Sequence, residues 1–153
     1  MRKLLLTFLP FFFFAASFAQ MENPVKWTYT AKKIKGDVYE LHMTAVLEPK
    51  WHIYSQDIKG DGPVPTSFAF DKNPLVKPDG KVIEMGKLEK EYDKNFRMTL
   101  KYYGNKVDFV QKIKLKASVV TVAKGKITYM VCNDTKCLLP KDIPFSIKID
   151  PRS

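Results

Sequence analysis

Two cysteines, Cys132 and Cys137, are the residues of this chain best suited to chemistry. They are the only 2 cysteines among 153 residues, and the segment that joins them reads Cys-Asn-Asp-Thr-Lys-Cys. Two thiols this close normally bond to each other in an oxidising compartment. The resulting disulfide could be a permanent structural brace, or it could be a reversible pair that exchanges with the thiols of other proteins.

The size of the ring favours the reversible pair. Closing a loop of about six residues stabilises a fold by roughly 2 kcal/mol, against nearly 5 kcal/mol for a loop of about 100 residues. A chain of this length can build a core without so small a gain. Two alternatives stay open. One is a non-enzymatic binding module with a structural disulfide, and the other is a metal site in which His42 and His52 complete the ligand set.

The first residues predict export. Arg2 and Lys3 precede an apolar run at residues 4–14, and residues 17–19 read Ser-Phe-Ala, which suits a cleavage site after Ala19. This order is typical of a secretory signal peptide. The run is shorter than the roughly 20 apolar residues of a membrane-spanning helix. We therefore expect residues 1–19 to be removed and the mature chain to lie in the periplasm, although a retained N-terminal anchor is the alternative.

Charge and hydropathy narrow the remaining function classes. The formal net charge is +10, and removal of Arg2 and Lys3 leaves +8 on a single predicted domain, residues 20–153. The lysines are scattered, so the charge indicates a solvated surface with a mild attraction to acidic partners. We expect no nucleic-acid partner, no cofactor and no transmembrane segment in the mature chain.

Strand signals dominate the mature sequence. Apolar side chains alternate after Val38 and again after Ile143, and period-2 alternation indicates half-buried strands. Gly104-Asn105 predicts a hairpin turn between two further strands. About eight to ten short strands without a helical period predict an all-β protein, an immunoglobulin-like antiparallel β-sandwich, with a barrel as the alternative.

The predicted elements place several side chains near the cysteines. A strand over residues 127–131 leads directly into Cys132. His52 and Tyr54 share one face of another short strand, where an imidazole could bias thiol ionisation near neutral pH. The ammonium of Lys136 favours a neighbouring thiolate, whereas the carboxylate of Asp134 opposes it.

Three stretches carry a resemblance to a known family. Residues 129–140, Tyr-Met-Val-Cys-Asn-Asp-Thr-Lys-Cys-Leu-Leu-Pro, resemble the active-site segment of the N-terminal periplasmic domain of the thiol:disulfide interchange reductase DsbD. Residues 51–55, Trp-His-Ile-Tyr-Ser, look like the aromatic strand of that family, and residues 62–66, Gly-Pro-Val-Pro-Thr, look like the loop that follows it. The cysteine spacing is one residue shorter than in the best-known members.

The resemblance implies an immunoglobulin-like sandwich that relays electrons from a thioredoxin-like donor to an oxidised periplasmic protein. It implies that Cys137 attacks the disulfide of the partner and that Cys132 resolves the mixed disulfide. It also implies that His52 and Tyr54 shield or tune the pair. The acidic-aromatic cap of the family is not recognisable, and Tyr92 is our candidate for a shielding residue. The resemblance does not extend to membrane-spanning or thioredoxin-like parts, so we expect the donor to be a separate protein.

Overall fold

The computed structural model describes residues 22–94 and 96–152, and the predicted signal peptide lies outside these residues. Within them, ten strands form: β1 (Val25–Lys35), β2 (Val38–Leu47), β3 (His52–Tyr54), β4 (Ser67–Phe70), β5 (Val76–Pro78), β6 (Ile83–Asp93), β7 (Met98–Leu115), β8 (Thr121–Tyr129), β9 (Val131–Cys132) and β10 (Lys141–Ile149). No helix that could cross a membrane occurs in this part of the chain.

The strands form two antiparallel sheets. In the described residues the larger sheet has the order β1-β2-β7-β3-β9, and β5 and β6 pair with the other edge of β7. The smaller sheet has the order β10-β8-β4. The two sheets enclose a common core, so the chain is an immunoglobulin-like β-sandwich, as the strand pattern predicted.

The core is built by the alternation visible in the sequence. On β2 every second side chain is buried, and on β10 the same pattern continues from Phe145 to Ile149. The buried side chains of the two strands belong to one cluster with those of β7 and β8. Burial of each large apolar side chain contributes about 1.5–3 kcal/mol relative to its exposure, so this alternation sets which face of each sheet points inward.

The predicted hairpin at Gly104-Asn105 is wrong. Strand β7 runs without interruption from Met98 to Leu115. Asn105 has a φ of 55°, and it lies between the residues of β7 that pair with β3 and those that pair with β2. A positive φ marks an irregular point inside a strand as readily as a tight turn, which explains the wrong prediction. Because β7 continues, it carries β3 and β9 beyond the end of β2.

Candidate functional site

The two cysteines lie at the edge of the larger sheet. Strand β9 pairs with β3, so that Val131 lies opposite Ile53 and Cys132 lies opposite His52. The chain then turns back, and Cys137 pairs with Cys132 in an isolated antiparallel bridge. The sequence predicted a strand that leads directly into Cys132, and β9 ends at this residue.

The turn between the cysteines is organised by its own first residue. The side-chain oxygen of Asn133 accepts hydrogen bonds from the backbone N–H and the hydroxyl of Thr135 and from the backbone N–H of Lys136, each at 2.9 Å. The backbone N–H of Asn133 also donates to the Lys136 carbonyl at 2.9 Å. Asparagine is favoured in turns because its side chain can form such local hydrogen bonds. Here these bonds close the turn that brings Cys137 next to Cys132.

The predicted disulfide is present, and its two ends differ in exposure. Cys132 and Cys137 are bonded to each other, with Cα atoms 4.0 Å apart. Cys132 is only 2% exposed, whereas Cys137 is exposed. Thiol–disulfide exchange requires a thiolate to reach one of the two sulfur atoms. Cys137 is therefore the more accessible end of the disulfide in this structure.

Strand β3 places two polar rings beside the buried sulfur. The hydroxyl of Tyr54 donates a hydrogen bond to Cys132 Sγ at 3.1 Å. His52 Nε2 lies 3.4 Å from Tyr54 Oη, and the imidazole packs on the ring of Tyr102 with centroids 4.5 Å apart. The structure thus brings His52 and Tyr54 together at the disulfide, while their function in shielding or tuning stays a prediction.

The protonation of these rings follows from their surroundings. Burial, with a smaller effect from Asp93, raises the pKa of Tyr54 to about 12, so its hydroxyl stays a hydrogen-bond donor at neutral pH. Burial lowers the pKa of His52 below its ordinary value of 6.5, and nearby carboxylates, of which Asp134 and Glu91 act most strongly, work in the opposite direction. His52 is therefore mainly a neutral imidazole at neutral pH.

Hydrogen bonds fix the end of strand β3 and the two residues that follow it. The hydroxyl of Thr66, which ends the Gly-Pro-Val-Pro-Thr stretch, donates to the Tyr54 carbonyl at 2.6 Å. The carboxylate of Glu84 accepts three hydrogen bonds. The donors are Ser55 Oγ at 2.8 Å, the backbone N–H of Gln56 at 2.6 Å and Tyr103 Oη at 2.7 Å. The sequence contains no signal for Glu84, because it is one of many scattered acidic residues.

A groove of about 680 Å³ separates the cysteine turn from the end of the β6–β7 hairpin. Glu91, Tyr92 and Asp93 line it from β6, and the disulfide lines it from the opposite side. Tyr92 is 60% exposed. It therefore borders the approach to Cys137 without being packed, and its shielding role stays a prediction.

Phe96 is a further aromatic residue packed near the disulfide, and the sequence did not predict it. Phe96 and Met98 pack against a small buried cluster that includes Tyr54 and Cys132. The backbone N–H of Phe96 donates to Asp93 Oδ1 at 3.1 Å, which orders the end of the hairpin. An Asp three residues before an aromatic residue is a plausible turn signal, but it does not reveal which distant strand the ring will reach.

Lys136, the residue before Cys137, forms an ion pair. Its ammonium forms an ion pair with the carboxylate of Glu22 at 2.7 Å, and both side chains are about half exposed. An exposed pair of this kind contributes at most about 1 kcal/mol. The negative charge of Glu22 nevertheless offsets the stabilisation of a Cys137 thiolate that the sequence predicted for Lys136.

The metal alternative needed both histidines near the thiols. His42 instead lies on the outer face of the larger sheet, where its Nδ1 is 2.7 Å from Asp108 Oδ2. Among the residues that the structure describes, no three His, Cys, Asp or Glu side chains form a group that could hold a metal ion. The geometry around Cys132 and Cys137 is that of a disulfide beside the rings of Tyr54 and His52.

Comparison with known families shows which family the chain belongs to. A family model described as the N-terminal part of the thiol:disulfide interchange protein DsbD matches residues 20–147. The chain belongs to the DsbD N-terminal domain family. The resemblance carried by residues 129–140 is thereby confirmed. No curated protein sequence matches the chain.

Solved structures show that this DsbD N-terminal domain has the fold of its family. The reduced N-terminal domain of DsbD from Neisseria meningitidis matches with a TM-score of 0.53 and 16% identity, over 75% of this chain and 80% of that chain. The N-terminal periplasmic domain of ScsB from Proteus mirabilis matches with a TM-score of 0.52 and 16% identity, over 84% of this chain and 46% of that chain. Family membership and the disulfide together support a general role in thiol–disulfide exchange.

Proposed function

We propose that this domain is a periplasmic electron relay. It takes two electrons from a thioredoxin-like redox protein or domain and passes them to an oxidised periplasmic protein through Cys132 and Cys137. The observation that carries the proposal is the unequal exposure of the two cysteines beside an open groove. A structural disulfide does not require an accessible sulfur atom, whereas a protein that exchanges thiols with a partner requires one.

The proposed exchange proceeds in two steps from the reduced domain. The Cys137 thiolate attacks a partner disulfide, so that a mixed disulfide forms and one partner sulfur leaves as a thiolate. Cys132 then attacks the sulfur of Cys137, which re-forms the internal disulfide and releases the second partner thiolate. The partner gains two electrons and two protons, and the domain loses them. The donor reverses these steps, beginning with attack of its own thiolate on Cys137.

The rings around the pair are proposed to limit side reactions. Tyr54 and His52 cover the sulfur of Cys132, and Tyr92 and Phe96 stand across the groove. Small oxidants and unrelated thiols would then reach the pair less readily than a protein that fits the groove. This proposal extends the predicted shielding by Tyr92 to Phe96, which is packed near the disulfide.

Export is part of the proposal. Residues 1–19 are proposed to act as a cleaved signal peptide, so that residues 20–153 function as one mature domain in the periplasm. The description of the ScsB relative as a periplasmic domain supports this compartment. An oxidising compartment is also where a disulfide of this kind persists between cycles of exchange.

The test is mixed-disulfide trapping. A Cys132→Ala protein, which keeps Cys137 but cannot resolve, is expected to accumulate a partner through a bond that dithiothreitol cleaves. The matched control is Cys137→Ala, which keeps only the buried cysteine and is expected to trap little. Equal trapping by both variants would contradict the assigned roles. If neither variant traps a protein and the native disulfide resists physiological reductants, the binding module with a structural disulfide is correct.

A further inference from the structure

A line of contacts leads from the buried sulfur to the surface. It begins at Cys132 Sγ, which accepts from Tyr54 Oη at 3.1 Å. It continues from Tyr54 Oη to His52 Nε2 at 3.4 Å. The imidazole packs on Tyr102, and the Tyr102 hydroxyl donates to Glu91 at 2.9 Å. A titratable imidazole is therefore two polar contacts away from a sulfur that solvent barely reaches.

We propose that His52 exchanges a proton with Cys132 through the hydroxyl of Tyr54. His52 accepts the proton when Cys132 resolves the mixed disulfide, and it returns a proton when the disulfide is opened by the donor. The inference rests on the proposed function, because it assigns the proton of the second exchange step. His52 and Tyr54 act here through Cys132, and so they are positioning and proton-transfer groups beside the reacting sulfur.

The burial of Cys132 favours such a route. Attack on Cys137 breaks the sulfur–sulfur bond, and Cys132 leaves with the electron pair as a thiolate. In the reverse step Cys132 must lose its proton before it can attack, because the thiolate is the nucleophile. A charged sulfur on a residue that is only 2% exposed is costly without hydrogen bonds, and bulk water has poor access to exchange its proton.

The geometry allows the transfer to balance. While Cys132 is in the disulfide or is a thiolate, the Tyr54 hydroxyl donates to the sulfur. When Cys132 is a thiol, its S–H can donate to Tyr54 Oη, and the hydroxyl hydrogen turns towards His52 Nε2. Before Cys132 attacks, one proton moves from its sulfur to the Tyr54 oxygen and one moves from that oxygen to the His52 nitrogen. The products are a Cys132 thiolate, an unchanged tyrosine and a His52 imidazolium.

The surroundings of the imidazole suit both forms. Burial disfavours the imidazolium, whereas carboxylates from β6 and from the cysteine turn favour it. The charged groups that act on His52 or line the same groove are Glu89, Glu91, Asp93, Asp134, Lys94 and Lys136. A base near the ambient pH is the most effective in proton transfer. Tyr102, with its pKa raised to about 12 by burial and by Glu91, stays neutral beneath the ring.

The test separates the two exchange steps in a single turnover. Reduced protein is mixed with an aromatic disulfide reagent that releases a coloured thiolate at each step. The first release reports attack by Cys137, and the second reports resolution by Cys132. The second rate in the unaltered protein is expected to rise with pH as His52 loses its proton, with an inflection below about 6.5.

His52→Gln is expected to slow the second release at least about 100-fold at neutral pH and to remove the inflection. The first release should keep its rate. His42→Gln is the matched control, because it removes the other histidine from the outer face and should change neither step. Tyr54→Phe should slow the second step in the same way, and it provides an answer should His52→Gln fail to fold.

The outcomes distinguish the proton route from the proposed function. If no coloured thiolate is released at the first step, Cys137 is not the attacking cysteine and the proposed function is wrong. If both releases occur and the His52→Gln or Tyr54→Phe protein keeps the normal second rate and its inflection, exchange is real and the proton route through His52 is wrong.

Discussion

Replacement of Tyr54 by phenylalanine tests how the structure tunes the buried sulfur. The change removes one oxygen atom, the donor of the 3.1 Å hydrogen bond to Cys132 Sγ. The ring remains in the small cluster that Tyr54 forms with Leu100 and Cys132, so no cavity is created. We expect the pKa of the Cys132 thiol in the reduced domain to rise, because the thiolate loses its donor while the burial of the sulfur is unchanged.

The size of the rise follows from the two forms of the sulfur. A hydrogen bond to a charged group contributes about 1.5–3 kcal/mol, whereas one to a neutral group contributes about 1 kcal/mol. The thiolate therefore loses about 0.5–2 kcal/mol more than the thiol does. Since 1.36 kcal/mol corresponds to one pKa unit, the pKa of Cys132 should increase by about one unit.

The measurement is a pH titration of thiolate absorbance in a Cys137→Ser background, in which Cys132 is the single thiol. Tyr102→Phe is the matched control. It also removes a tyrosine hydroxyl near the site, but that hydroxyl donates to Glu91 and not to Cys132. The control should leave the pKa of Cys132 within a few tenths of a unit. An unchanged pKa in Tyr54→Phe, or an equal rise in Tyr102→Phe, would refute the reasoning.

Three further predictions concern the fold that carries the site. Glu84→Gln should lower the free energy of unfolding in urea by about 1–3 kcal/mol, since the amide nitrogen cannot accept the hydrogen bonds that converge on the carboxylate. Gly125→Ala should destabilise by at least about 1–3 kcal/mol, because a Cβ there would lie 2.2 Å from the Ala69 carbonyl oxygen. Burial depresses the pKa of His52, so the unfolded state binds a proton first as pH falls, and stability should decline below about pH 6.5. His52→Gln should weaken that decline between about pH 7 and about pH 5.

Each of these predictions has a control. Glu89→Gln changes a partly exposed carboxylate that forms an ion pair with Lys87 at 3.6 Å, and it should alter stability by less than about 0.5 kcal/mol. Gly104→Ala places a Cβ where no atom lies within 4 Å, and it should be tolerated. Comparable losses for Gly104→Ala and Gly125→Ala would show that close packing at Gly125 is not the cause. A His52→Gln protein whose stability falls with acid as steeply as the unaltered chain would place the titrating group elsewhere.

Local sequence patterns predicted most of the strands and the position of the cysteine pair. The alternation on β2 and β10 places apolar side chains inward at every second residue, and that rule depends on strand geometry alone. Asn133 forms the turn with residues two and three positions away. The disulfide therefore follows from spacing and turn chemistry, without information from the rest of the chain.

Patterns that have two structural outcomes were not decided by the sequence. Gly104-Asn105 can close a hairpin or mark an irregular point within a strand, and only the pairing of β7 with both β2 and β3 selects the second outcome. Phe96 and Glu84 were missed for a related reason. Each contacts residues that are distant along the chain, and their own neighbours in sequence contain no trace of those contacts.

The sequence by itself determined that this protein carries one close pair of thiols in a sandwich of alternating strands, because spacing and periodicity are local properties. The tertiary structure alone decided that Cys132 is buried beside Tyr54 while Cys137 is exposed. Exposure and hydrogen bonding depend on which strands become neighbours, and here β3 meets β9 across about eighty residues of chain. That difference between two chemically identical thiols is what gives each of them a separate role in the proposed exchange.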